Sequence, residues 1–129
     1  MIYNYILTLS QLSSYLHSAN TVALDFETAP IDVYRNHDRA ALDAHKSYIV
    51  GMSFSVAEGD AVYLPLTHRI GQNAADLKGI WAWLAEFFTN TSVIKVAHNL
   101  AFASAFLYAR EIVLPAPCYA TIAAAQLVS

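Results

Sequence analysis

The chain has 129 residues, 57% of them hydrophobic, with seven basic against ten acidic side chains and a formal charge of −3. That length is one domain's worth and can bury a real core, whereas the acidic balance gives no basic footprint for strong autonomous nucleic-acid binding. The single cysteine, Cys118, excludes an internal disulfide and a zinc cluster.

No targeting or membrane segment is expected. Met1 to Tyr5 lacks the basic region of a secretory signal, and the longest apolar stretch, around Leu100 to Ala109, is too short to span a bilayer and contains Ser104. A reducing cytoplasm is the expected compartment. The hydrophobic share exceeds the roughly 45–50% usual for a free-standing domain, so part of the apolar surface is expected to meet a partner.

In chain order, Ser10 is expected to cap a short helix through about His17, and Thr21 to Glu27 reads as a long strand too apolar for a sheet edge. Ala29 to Lys46, with Pro30, Asp32, Asn36, His37 and Asp38, reads as a loop with a helical turn over Arg39 to His45. Strands over Ile49–Ala57 and Ala61–Pro65 follow, joined by Glu58-Gly59-Asp60, so three strands form an antiparallel meander. Asn73 is expected to cap an amphipathic helix whose Leu77, Ile80, Trp81, Leu84, Phe87 and Phe88 recur at helical spacing, which makes them core residues and not a base-stacking platform. A short buried strand over Val93–Ala97, a helix capped by Asn99 and running to about Glu111, a strand near Tyr119 and a final helix over Thr121–Ser129 complete the order. The fold class is α/β, a mixed sheet flanked by helices.

The densest chemistry is Asp25-Phe26-Glu27-Thr28. Strand alternation points Asp25 and Glu27 to one face, and two like charges so close call for a proton or a hard cation between them. An acid-x-acid triplet at a strand end is also a common solvated exit from a sheet, and the remaining pattern of the chain decides between the two.

Asp25-Phe26-Glu27-Thr28 resembles the first exonuclease motif of proofreading domains in family A DNA polymerases, and Lys95-Val96-Ala97-His98-Asn99-Leu100-Ala101-Phe102-Ala103 with Phe106 to Arg110 resembles the second. Tyr48 to Ser55 and Ala61 to Leu66 resemble the intervening hairpin, and Cys118-Tyr119-Ala120-Thr121 the segment after the second motif. The likeness covers nearly the whole chain. It implies a ribonuclease H-like fold, and a single, partial 3′-5′ exonuclease domain over residues 1–129 whose remainder and polymerase domain would follow. It also implies two divalent cations, Mg2+ or Mn2+, and the single-stranded 3′ end of DNA as substrate.

The resemblance assigns Asp25 to both cations and Glu27 to the one that activates water. Thr28 and Asn99 would contact the terminal nucleotide, and Ile31 would wedge against its base. The family's third acid aligns with Ala103, an acid often stands where this chain has Ala120, and the third motif lies downstream of the segment around Tyr119. Magnesium demands oxygen ligands in near-octahedral geometry, so weak cation binding and absent or weak hydrolysis are expected. His98 is not read as the general base, because a bound ion already lowers the pKa of the attacking water. His17, His37, His45 and His68 show no ligand spacing. Two other readings stand beside this one: a non-catalytic module that braces a polymerase or binds single strands, and a ribonuclease D-type enzyme that trims RNA.

Overall fold

A computed structural model of the protein describes residues 2–120. The elements run β1 (Ile2–Tyr5), α1 (Leu9–Leu16), β2 (Thr21–Pro30), β3 (Ser47–Ser55), β4 (Asp60–Pro65), α2 (Leu77–Thr89), β5 (Ile94–Ala97), α3 (Leu100–Tyr108) and β6 (Cys118–Ala120), with 3-10 turns at Asp32–Tyr34 and Ala40–Leu42. One six-stranded sheet has the order β1-β4-β3-β2-β5-β6. The β2-β3-β4 meander is antiparallel, while β5 pairs parallel with β2 and β6 parallel with β5. This is the ribonuclease H-like mixed sheet expected from the sequence.

Alternation on β2 sorts its side chains. Val22, Leu24 and Phe26 are buried, and Thr21, Ala23, Asp25 and Glu27 are exposed on the opposite face. The buried set joins Met52 and Phe54 of β3, Leu12 and Leu16 of α1, Ile80, Leu84 and Phe88 of α2, and Phe106 and Leu107 of α3 in one apolar group. Phe26 meets Phe88 edge-on with ring centroids 6.2 Å apart, the geometry that aromatic quadrupoles favour.

Lys95 is fully buried on β5. Its Nζ donates to the Asn90 carbonyl at the end of α2 and lies 5.6 Å from the centroid of the Phe87 ring. The cation thus caps a helix C-terminus, where orphan carbonyls and the macrodipole both favour positive charge.

Several expectations on boundaries are corrected. Thr8, not Ser10, caps α1 through a capping box, its hydroxyl accepting from the Gln11 amide at 3.1 Å while Gln11 Oε1 accepts from the Thr8 amide at 3.2 Å. Asp76 caps α2 in place of Asn73, which instead bonds reciprocally with the backbone of His68. β2 continues through Ala29 and Pro30, which were expected in a loop, because Ala29 and Pro30 pair with Tyr48 and Ser47. α3 ends at Tyr108, since Glu111 adopts a left-handed φ of 65° that turns the chain. β1, which pairs parallel with β4, was not expected at all. The expected final helix over Thr121–Ser129 lies outside the described residues.

Candidate active site

The acid pair lies on an interior strand, not at a frayed exit. β2 is paired on both sides, Asp25 opposite Ser53 and Glu27 opposite Gly51 of β3, with Leu24 beside Ala97 of β5. Successive same-face positions on a strand are about 7 Å apart, so both carboxylates stand on one short stretch of the face turned away from the core. Small residues surround Asp25 there, Ala23, Ser53 and Ala61 lining a shallow depression beside it. Asp25 Oδ1 accepts from the Phe26 amide at 3.0 Å.

Glu27 is held from the neighbouring strands. Tyr63 on β4 donates its hydroxyl to Glu27 Oε2 at 3.2 Å, and Tyr63 Oη lies 2.6 Å from His68 Nε2. A phenol has one proton, so once that proton goes to the carboxylate, His68 is the donor in the second bond. His68 is fixed in turn, its amide donating to Asn73 Oδ1 at 2.8 Å and its carbonyl accepting from Asn73 Nδ2 at 2.9 Å. Gly51 makes room for the phenol, because a Cβ built there would lie 2.0 Å from Tyr63 Oη. Tyr63 and His68 were not singled out as site residues in the sequence. They are five positions apart around a strand end, and only the fold brings Tyr63 to Glu27 with His68 behind it.

A register shift adjoins the pair. Glu27 faces Gly51 but Thr28 faces Ile49, so Val50 is the extra residue. Its carbonyl accepts from the Leu66 and Thr67 amides at 2.9 and 3.0 Å. Bulges re-aim the chain next to sites, and beyond this one Thr28 Oγ1 donates to the Ala41 carbonyl at 2.5 Å. The Thr28 proton is therefore committed to the 3-10 turn at Ala40–Leu42. Ile31 is 42% exposed at the rim of the adjoining cleft. Asn99 caps α3, its side-chain oxygen accepting from the Phe102 amide at 3.1 Å, and is exposed.

The two aligned alanines differ in setting. Ala103 is only 3% exposed and belongs to the apolar group that contains Leu24 and Phe26. Leu107, one turn further along, is buried with it, while Asn99 at the helix start is exposed. Ala120 pairs with Ala97, which pairs with Leu24, placing it in the row beside the acid pair. Neither offers a side-chain ligand atom. Among the described residues no three of His, Cys, Asp and Glu converge to hold a metal ion. Asp25 and Glu27 are the oxygen donors suited to a hard cation, with water needed for most of its remaining positions.

Comparison with known proteins identifies the family and the fold. Residues 3–129 match the model of the 3′-5′ exonuclease family. A DNA-directed DNA polymerase of Pseudomonas phage M6 is 39% identical over 88 residues, 66% of this chain but 13% of that polymerase. Among solved structures, Brucella melitensis NrnC with bound Mg2+ superposes with a TM-score of 0.65 at 21% identity, over 98% of this chain and 53% of that one. Escherichia coli RNase D, an exoribonuclease involved in structured RNA processing, gives 0.62 at 17% identity, over 94% of this chain and 28% of that one. The chain thus spans a small part of the polymerase it matches and about half of NrnC, and at these identities the two structural likenesses speak for the fold. With the family match over nearly its whole length, the chain belongs to the 3′-5′ exonuclease family, of the DNA polymerase I type.

Proposed function

We propose that the domain engages the 3′ end of a DNA strand delivered by a polymerase, with Asp25 and Glu27 as its remaining cation ligands and with hydrolysis weak or absent because Ala103 supplies no carboxylate. The observation that carries this reading is the placement of both acids on the open face of an interior strand, Glu27 Oε2 being gripped by Tyr63. An ordinary solvated sheet exit has no need of a buried phenol and a histidine behind one of its carboxylates. A divalent cation bound there would lower the pKa of a water and stabilise the departing oxygen. The chain's own contribution is to orient Glu27 through Tyr63 and to keep Asp25 beside it.

The test is release of label from single-stranded DNA marked at either end, in Mn2+, by the chain and by its Ala103→Asp variant. Little or no release by the parent chain and loss from the 3′ end by the variant support the reading. Release from the 5′ end first, or release that survives chelation, would contradict it.

A second reading, a non-catalytic module that holds single strands, is favoured by Ala103 and Ala120 together and by the lack of a third ligand among the described residues. It predicts strand binding with no hydrolysis in either protein. An RNA strand carried through the same assay addresses the ribonuclease D-type alternative.

A further inference from the structure

Basic side chains are scarce in this chain, yet three of the seven gather at one place. Two adjoining clefts open where the end of β4, the start of β3 and the 3-10 turn at Asp32–Tyr34 meet the helices. The larger, about 480 Å³, is lined by Ile31, Asp32, Tyr48, Arg69, Trp81 and Arg110 among others. The smaller, about 280 Å³, is lined by Arg35, His68 and Arg69, and shares Tyr48, Thr67 and Arg69 with the first. Of the ten acidic residues in the chain, Asp32 alone lines either cleft.

That single carboxylate serves two guanidiniums. Asp32 Oδ1 accepts from Arg35 Nη2 at 2.9 Å and also from Arg69 Nη2. All three residues are exposed, so the pairing is exchangeable, and the local charge stays positive after it is counted. Each guanidinium has five N–H donors, more than one carboxylate oxygen can use. Arg110 adds a third positive group, its guanidinium carbon 3.6 Å from the centroid of the Trp81 ring. Stacking covers one face of that guanidinium and leaves its N–H edge for an oxyanion. The smaller cleft also reaches His68, whose ring touches the Tyr63 that holds Glu27.

We propose that these joined clefts bind the sugar-phosphate backbone of a single nucleic-acid strand, phosphates lying against Arg35, Arg69 and Arg110, with Ile31 supplying apolar contact and the Tyr48 hydroxyl bonded to Arg69 between the clefts. The choice of a nucleic acid over another polyanion rests on the nuclease-family reading above. A chain of net charge −3 repels such a strand in general, and a local cluster of arginines is the remedy that the sequence-wide charge conceals. Two linked clefts suit several consecutive phosphates better than one free nucleotide. Asp32 then acts as the internal anion that the strand displaces.

Fluorescence anisotropy of a labelled oligothymidylate about 10 nucleotides long tests this with the chain, with Arg69→Ala, Arg35→Ala and Asp32→Asn, and with Lys78→Ala as an exposed cation on α2 outside both clefts. The expected result is about five- to tenfold weaker binding in each arginine variant with a shallower salt dependence, tighter binding in Asp32→Asn, and little change in Lys78→Ala. Arg35 and Arg69 are exposed, so these variants keep the fold. If the chain binds and the arginine variants bind equally well, the cleft assignment falls and the nuclease reading stands. If the chain binds no strand even at low salt, the cleft assignment falls together with the reading on which it rests.

Discussion

Tyr63 Oη stands 3.2 Å from Glu27 Oε2, and the space it occupies exists because residue 51 has no side chain. A Cβ at Gly51 would meet Tyr63 Oη at 2.0 Å and its ring carbon Cζ at 2.4 Å. Gly51→Ala is therefore expected to destabilise by about 1–3 kcal/mol through overpacking. The cost should shrink in a Tyr63→Ala background, where the clash is gone. Denaturant melts of the two single variants and the double variant measure that coupling, and simple additivity would argue against the contact.

Lys95 gives a pH-dependent prediction. Burial lowers its pKa below the usual 10.5, with Cys118 opposing the shift. Between the folded value and 10.5 the unfolded chain holds more protons than the native one, so stability contributed through this group rises with pH across that window and the penalty is present below it. Lys95→Met removes the dependence. It also leaves the Asn90 carbonyl without its lysine partner, at about 1–3 kcal/mol. Urea melts at neutral pH and near pH 10 should show the parent chain gaining on the variant as pH rises.

Asn99 separates structural from substrate roles. Asn99→Ala should cost about 1 kcal/mol by deleting the α3 cap, while Asn99→Asp keeps an oxygen acceptor and nearly all the stability. Thermal melts check this. A strand-affinity loss in Asn99→Asp, with the melt unchanged, would identify a nucleotide contact.

Ala103 is packed to within 3% of full burial. An aspartate there is expected to destabilise the metal-free protein by roughly 1–3 kcal/mol for an imperfectly satisfied polar group. Saturating Mn2+ should restore part of that loss, since a ligand that binds only the folded state stabilises it. Melts of Ala103→Asp with and without Mn2+ read the difference.

Much of the architecture is legible in the residues because it is local. The alternation Val22, Leu24, Phe26 against Asp25 and Glu27, the glycine turn at Gly59 with its φ of 77°, and the helical spacing of Ile80, Leu84 and Phe88 each depend on near neighbours. What escapes the sequence depends on distant partners. β1 is four residues whose pairing with β4 spans nearly sixty positions. The Val50 bulge and the Tyr63–His68 support appear only when β2, β3 and β4 lie side by side. Thr8-x-x-Gln11 is a capping box visible in the sequence, and the nearby serine at position 10 obscured it. Asp76 caps α2 from a left-handed φ of 54°, a conformation for which an ordinary capping pattern gives no warning.

The most direct measurement of the central claim is calorimetric titration of Mn2+ into the parent chain, Ala103→Asp, and Ala103→Asp carrying Asp25→Asn. The account predicts weak binding to the parent chain, clear binding to Ala103→Asp and its loss when Asp25 is also changed. Equal binding by all three proteins would mean that the cation does not sit on the β2 acids, and would contradict the account.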